Sequence, residues 1–322
     1  MVTGGTGTIG SELVRQLLKY KPKQIRVLSR NETRQYELLE SLHYPANVRM
    51  LIGDIRDRDR LQIAFNGVDI IFHAAALKHV PFCEYNPSEA MKTNIIGSHN
   101  VLDAALHAGV QKVIAISTDK VADPINVLGV SKLMMEQLLI NSNFFLTGKL
   151  KLACVRFGNV AWSSGSVLPM WKNQADSAGH IRVTNNNATR FLMSISQAVG
   201  LTIKAAQMCR GGEVFILKMP SIKLGDLAGI FIRKYYPGKK IKIKLIGDRA
   251  GDKGHENLLG NNDSAKEVWE NKEMFILVPF AKSHDFTATG QAYFYDGFQR
   301  VANGVFFSSE NNLDIKKIEK II

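Results

Sequence analysis

Apolar and polar positions follow a strand-then-helix rhythm through the first half of the chain. Met1–Thr3 is a short apolar run, followed by an amphipathic stretch over Ser11–Leu18 and a β-like segment, Ile25–Leu28. A polar helix over about 33–40 leads to Val48–Ile52, and a short helix leads to Val68–Phe72. A long helix over Pro87–His107 precedes the apolar strand Val113–Ile116, and a helix over Val127–Leu139 precedes Leu152–Val155. Short apolar strands joined by helical crossovers predict a parallel sheet covered on both faces. Beyond Phe157 the rhythm loosens into glycine, asparagine and serine clusters at Gly158–Gly165 and Thr184–Thr189. A helix near Ile195–Cys209 returns to the sheet, and Pro237–Gly260 reads as part of a smaller lobe. The class expected is α/β, a Rossmann-type doubly wound parallel sheet with a smaller, interleaved C-terminal lobe. Neither an internal repeat nor a low-complexity tract interrupts it.

Between the first strand and the first helix lies Thr3-Gly4-Gly5-Thr6-Gly7-Thr8-Ile9-Gly10. Glycines at 4, 7 and 10 permit a tight turn, let main chain approach a pyrophosphate, and let helix and strand pack closely. The helix N-terminus adds free N–H groups for an anion. This strand keeps only Met1, Val2 and Thr3, where strands usually run to ~5 residues, so either it is short or native residues precede Met1.

At the end of the second strand an NAD-binding chain would carry a carboxylate for the ribose hydroxyl. Ser29-Arg30-Asn31 stands there instead, and a hydroxyl with a guanidinium favours a 2′-phosphate. NADP is the expected cofactor, with NAD the alternative. Downstream, Asp54 and Ile55 follow a strand where a carboxylate can accept from an adenine amino group; Asp54 as a helix cap is the competing reading. Ala74, Ala75 and Ala76 close the next strand with side chains small enough for a flat cofactor. The NADP-binding Rossmann domain is therefore placed at 1–157 with about 190–220, and the substrate-binding lobe and C-terminal segment at 158–189 and 221–322.

Composition narrows the class. Of 322 residues, 45% are hydrophobic and 22% charged, an ordinary globular balance. The net charge of +12 is dispersed, apart from Arg233–Lys234 and Lys239–Lys244. It suits polyanionic small molecules better than nucleic acid. Cys83, Cys154 and Cys209 lack C-x-x-C spacing and read as free thiols in a reducing compartment. No apolar run approaches the roughly 20 residues of a membrane span, and no signal peptide is visible. A cytoplasmic protein without membrane or nucleic-acid partners is expected, with no metal site.

Further motifs complete a pattern: His73-Ala-Ala-Ala-Leu-Lys-His-Val-Pro81, Ser117-Thr-Asp-Lys120, Arg156-Phe-Gly-Asn159, Gly165-Ser-Val167, Thr189-Arg-Phe191, Met219-Pro-Ser-Ile-Lys223 and Ser308-Ser-Glu-Asn-Asn312. The ordered set resembles extended short-chain dehydrogenases, and within them the UDP-N-acetylglucosamine 4,6-dehydratases of polysaccharide biosynthesis. The resemblance runs nearly end to end.

It implies hydride removal from sugar C4, loss of water across C5 and C6, and hydride return to C6. Such chemistry needs a C5 base, an acid for the C6 hydroxyl and a path for the O4 proton. By that resemblance Asp119 protonates the leaving hydroxyl and Lys120 takes the C5 proton, so Lys120 must be neutral and Asp119 protonated. A plain Asp119–Lys120 salt bridge is the competing reading. The superfamily's Tyr-x-x-x-Lys has Leu128 in the tyrosine position, with Lys132 in place for the nicotinamide ribose. Leucine transfers no proton, which leaves Thr118, Asp119 through a water, or Lys120 as the O4 base. The resemblance further places Lys78 and Asn94 beside the cofactor. It sets Lys78, Asn159, Ser166, Val167, Arg190, Arg249 and Glu256 around a UDP-sugar. Two departures stand out: Arg249-Ala-Gly-Asp-Lys-Gly-His-Glu256 lacks the family's proline, and Ser164 replaces an arginine. His73, His79 and His255 read as packing or hydrogen-bonding residues. A 4-epimerase and a catalytically weakened NADP-binding protein are the alternative functions, and a homo-oligomer is implied.

Overall fold

The computed structural model describes residues 1–142, the main chain of 143–145, and residues 150–264, 266–279, 293–301 and 304–322. Its body is a ten-stranded sheet. Across it run Val48–Ile52, Ile25–Ser29, Val2–Thr3, Ile70–His73, Lys112–Ile116, Lys151–Arg156 and Glu213–Leu217, all parallel. Strand order reverses between Val2–Thr3 and Ile70–His73, the switch point at which open α/β sheets bind ligands. The expected Rossmann-type sheet is therefore present. The central strands are buried on both faces: Val113, Ile114, Ala115, Leu152, Val155, Val214 and Phe215 have no exposed surface. Their near-continuous apolar runs reflect helices on either side of the sheet.

Helix Ile195–Met208 opens on a reciprocal capping box between Ser194 and Gln197 and packs beside helix Thr8–Leu18. The box satisfies two otherwise orphaned N–H groups. The expected long helix over Pro87–His107 has a wider π-helical turn at Met91–Ile96, between Pro87–Ala90 and Gly97–His107. That turn carries Asn94 toward the main chain of Leu77.

A second core surrounds Trp171 and Phe231. Around it lie the helices Val167–Ala178, Leu224–Tyr235 and Ile315–Ile321 and the parallel pair His180–Val183 and Lys242–Leu245. A three-stranded sheet of Asn159–Val160, Thr189–Met193 and Ser221–Lys223 runs between this lobe and the cleft. Within the part expected to hold the substrate-binding lobe and C-terminal segment, Glu267–Glu270, Met274–Val278 and Gln299–Val301 lie at the edge of the main sheet. Met274–Val278 pairs antiparallel with Glu213–Leu217, so no helical crossover announces it.

Arg156 ties the two halves together from the end of its strand. Its guanidinium donates to Glu136 (2.8 Å), on helix Val127–Phe145, and to Asp263 (2.7 Å). The Arg156 and Glu136 side chains are fully buried. Burial alone would raise the Asp263 carboxyl, but Arg156 outweighs it and holds the pKa below the ordinary value.

Candidate active site

A cleft of about 660 Å³ opens at the carboxyl end of the parallel strands, within the usual range for small-ligand sites. Its floor is the glycine-rich turn. Gly4 has φ +67°, and a Cβ there would lie 2.6 Å from the Ala75 nitrogen. A Cβ on Gly10 would lie 2.3 Å from the Gly4 oxygen. Both positions therefore exclude side chains, and the helix Thr8–Leu18 starts close against its strand, with its N-terminus at the cleft. Basic side chains dominate the walls: Arg34, Lys78, Lys120, Lys132, Arg182, Arg190 and Arg249 stand against one carboxylate, Asp252, among the described residues. That field suits a ligand with several phosphates.

Gly4, Gly7, Thr8, Ile9, Ala74, Ala76, Lys78 and Lys132, expected around a cofactor, all line this cleft. Thr6, Ser29, Arg30, Asp54, Ile55, Ala75 and Asn94 do not. Ser29 Oγ accepts from Gln35 (3.0 Å), while Arg30 lies 3.7 Å from Asp54. Asp54 also receives the Arg56 guanidinium at 2.7 Å. Burial would raise the Asp54 carboxyl, but the Arg56 contacts leave it lowered. The cap of the following helix is Asp57, not Asp54. Ile55 packs against Gly97. Asn94 is buried and braces the cleft loop from behind: its Oδ1 accepts from Leu77 N (2.8 Å), and its Nδ2 donates to Leu77 O (3.2 Å) and Ser131 Oγ (3.0 Å).

Asn159, Ser166, Val167, Arg190 and Arg249, expected around substrate, also line the cleft. Ser166 Oγ is buried there without a hydrogen-bond partner. The segment that lacks the family arginine spans the opening by main chain: Ser164 N donates to Thr8 Oγ1 (3.0 Å), and Lys78 Nζ donates to Ser164 O (2.5 Å). Burial lowers the Lys78 pKa. His73 is buried between Thr3 Oγ1 (2.7 Å) and Ser98 Oγ (3.0 Å), and burial depresses it to about 3, so it stays neutral.

The centre lies where the strand Lys112–Ile116 ends. Thr118 Oγ1 donates to Asp119 Oδ1 (2.9 Å), and Lys120 Nζ donates to the same oxygen (3.0 Å). Asp119 Oδ2 is buried and unpartnered. Asp119 itself is fully buried and does not line the cleft, but a Cβ on cleft-lining Gly158 would come within 3.0 Å of this oxygen, so glycine keeps the space beside it free. Glu256, expected at the substrate, lies behind Lys120 instead of on the wall, with Oε1 3.3 Å from Nζ. Burial works against the Lys120 charge, but Asp119 and Glu256 outweigh it and raise its pKa above the ordinary value. This setting favours the charged form of Lys120, opposite to what a C5 base requires. Leu128 is buried with Val80, Cys83 and Ala90 and lines the cleft. One turn on, Lys132 donates to Ile116 O (2.5 Å), and burial lowers its pKa to about 8.

Two participants escaped sequence reasoning. Arg34 stands one helical turn beyond the Asn31 cap, whose Oδ1 accepts from Arg34 N (2.9 Å), and it faces the glycine-rich turn. Its spacing from that cap was the available signal. The Lys120–Glu256 contact had none, because the tertiary fold alone brings the two residues together.

The profile of the polysaccharide biosynthesis protein family matches residues 1–278. The chain belongs to that family. An uncharacterized membrane protein of Methanocaldococcus jannaschii is 48% identical, covering 87% of this chain and 85% of its own. The UDP-N-acetylglucosamine 4,6-dehydratase (inverting) of Campylobacter jejuni serotype O:2 is 38% identical over 97% of this chain and 92% of its own. A UDP-glucose 4-epimerase of Rickettsia akari is 37% identical, covering 100% and 94%. Among solved structures, Pen from Bacillus thuringiensis superposes with a TM-score of 0.89 at 39% identity, covering 98% of this chain and 94% of that one. Among the described residues of this family member, no helix is long and apolar enough to cross a membrane.

Proposed function

We propose that this chain is an NADP-dependent nucleotide-sugar 4,6-dehydratase that converts UDP-N-acetylglucosamine to a UDP-4-keto-6-deoxy-N-acetylhexosamine. The observation that carries the reading is the Thr118–Asp119–Lys120 cluster at the strand end, with Asp119 Oδ2 left unpartnered beside Gly158. The Campylobacter relative, by its name, supports the substrate and the reaction.

The residues present fit a dinucleotide. The side-chain-free cradle at Gly4 and Gly10 and the helix N-terminus at Thr8 suit its pyrophosphate. Arg34, which lines the cleft, suits a 2′-phosphate, and Lys132 suits the nicotinamide ribose. A bound nicotinamide would supply the hydride acceptor for sugar C4 and the hydride donor for C6.

Leu128 offers no proton path, so Thr118 serves at O4. Its hydroxyl already donates to Asp119 (2.9 Å), and the O4 proton passes through it to protonate, and so neutralise, Asp119. Neutral Lys120 then takes the C5 proton, while Asp119 gives its new proton to the departing C6 hydroxyl, which leaves as water. A proton re-enters C5, from Lys120 with retention or from the opposite face with inversion. With retention every proton taken from the sugar is returned; with inversion solvent supplies the C5 proton and Lys120 gives its own to solvent, and in both cases Asp119 ends anionic, as it began. Arg190, Arg249 and Lys78 hold the diphosphate end by charge.

The Rickettsia relative's name favours a second reading, C4 epimerisation. Incubation with UDP-N-acetylglucosamine in deuterated water separates the two: dehydration places deuterium at C5 of a 6-deoxy product, whereas epimerisation leaves C5 and C6 unchanged.

A further inference from the structure

The dehydration scheme needs Lys120 neutral while Asp119 stays anionic to receive the O4 proton. Lys120 instead lies between two carboxylates, a setting that favours its charged form. A proton must leave Lys120, and it must not go to Asp119.

We propose that Glu256 takes this proton and holds it during turnover, acting as a positioning residue that keeps Lys120 a free amine. Transfer across the 3.3 Å contact converts the Lys120 ammonium and Glu256 carboxylate into an amine and a carboxylic acid. No atom or charge is left over. This role goes beyond substrate contact, and it rests on the dehydratase reading.

Three observations carry it. First, the Glu256 side chain is 3% exposed, so its proton does not exchange freely with solvent. Second, Oε2 is a buried oxygen with no partner, a costly state for a carboxylate and a milder one for a neutral acid. Third, other cations do not lock the carboxylate in its charged form: Arg190 Nε is 3.9 Å away and spends NH1 on Thr189 O and Gly254 O. Lys253 is turned to Ala122 O (2.7 Å), and His255 bonds Thr189 Oγ1 (2.8 Å) with its other nitrogen toward Glu310. On the opposite side Asp119 adds a second negative charge. Burial, reinforced by Asp119 against the pull of Lys120, raises the Glu256 carboxyl above its ordinary value.

The test uses NADP-loaded protein carrying ε-13C-lysine, with the Lys120 signal assigned by K120R. In the wild type, the Lys120 signal should move in two steps with pH, the lower one reporting Glu256. In E256Q it should titrate once, with a midpoint lowered by about 1–3 pH units because a neighbouring negative charge is gone. E256D should keep both steps. An identical Lys120 titration in wild type and E256Q overturns the proposal. If E256Q does not fold, a wild-type Lys120 signal that moves in a single step overturns it alone.

In turnover, the acidic limb of kcat for E256Q should shift to higher pH, so that activity lost at pH 7 returns toward pH 9. A raised KM with an unmoved limb would mean that Glu256 only binds substrate, and would also overturn the proposal. Two-step coupling without any dehydration of UDP-N-acetylglucosamine would instead sink the dehydratase reading and leave the proton pairing standing.

Discussion

Replacing Arg156 with methionine removes one cation from between two buried carboxylates. Glu136 and Asp263 would be left facing the gap, with side chains 0% and 2% exposed and, among the described residues, Lys266 (3.2 Å) and the Gly260 N–H (3.3 Å) still beside Asp263. Breaking a buried charge network from one side costs about 3–5 kcal/mol. For a chain of this length that lowers Tm by about 4–7 °C. The pH dependence has a definite sign. In the wild type the depressed Asp263 pKa contributes stability that is present above its unfolded value and lost as pH falls through the folded one. In R156M burial is opposed at Asp263 mainly by Lys266 and favours protonation more than in the wild type, so the deficit is largest near pH 8 and shrinks toward pH 5. Thermal unfolding of wild type, R156M and R156K at both values checks this, with R156K recovering part of the loss. A Tm for R156M within about 1 °C of wild type at pH 8, or a gap that widens on acidification, would refute the reasoning.

The same reasoning extends to the cleft. Lys132, lowered to about 8 by burial against about 10.4 unfolded, costs stability below pH 8, and that cost fades as pH rises toward 10.4. K132M should therefore raise stability at pH 7 by about 1–3 kcal/mol while weakening NADPH binding, read by unfolding and by fluorescence titration. D119N should lower kcat by about 10²–10⁴-fold with NADPH affinity unchanged. R34A should weaken NADPH about tenfold, a loss of about 1.4 kcal/mol, and leave NADH binding as it was.

The sheet and the cleft were legible because they rest on local signals. Parallel strands buried on both faces are continuous apolar runs, and a glycine turn between strand and helix marks the switch point. The outer strands between Glu267 and Val301 were not, since antiparallel pairing onto Met274–Val278 leaves no crossover helix to read. Asn94 was set beside the cofactor by the family resemblance; the fold shows that its amide is spent on Leu77 and Ser131. Thr118, Asp119 and Lys120 could be placed together from adjacency alone. The protonation of Lys120 could not, because it depends on Glu256, brought in from the far end of the chain.

The dehydratase reading is tested most directly by following C5 and C6 of UDP-N-acetylglucosamine by NMR and mass spectrometry, in deuterated water, with folded, NADP-loaded protein. The account predicts a 4-keto-6-deoxy sugar carrying deuterium at C5, whose coupling reports inversion or retention. A C4 epimer without deuterium, or unchanged substrate, would contradict it.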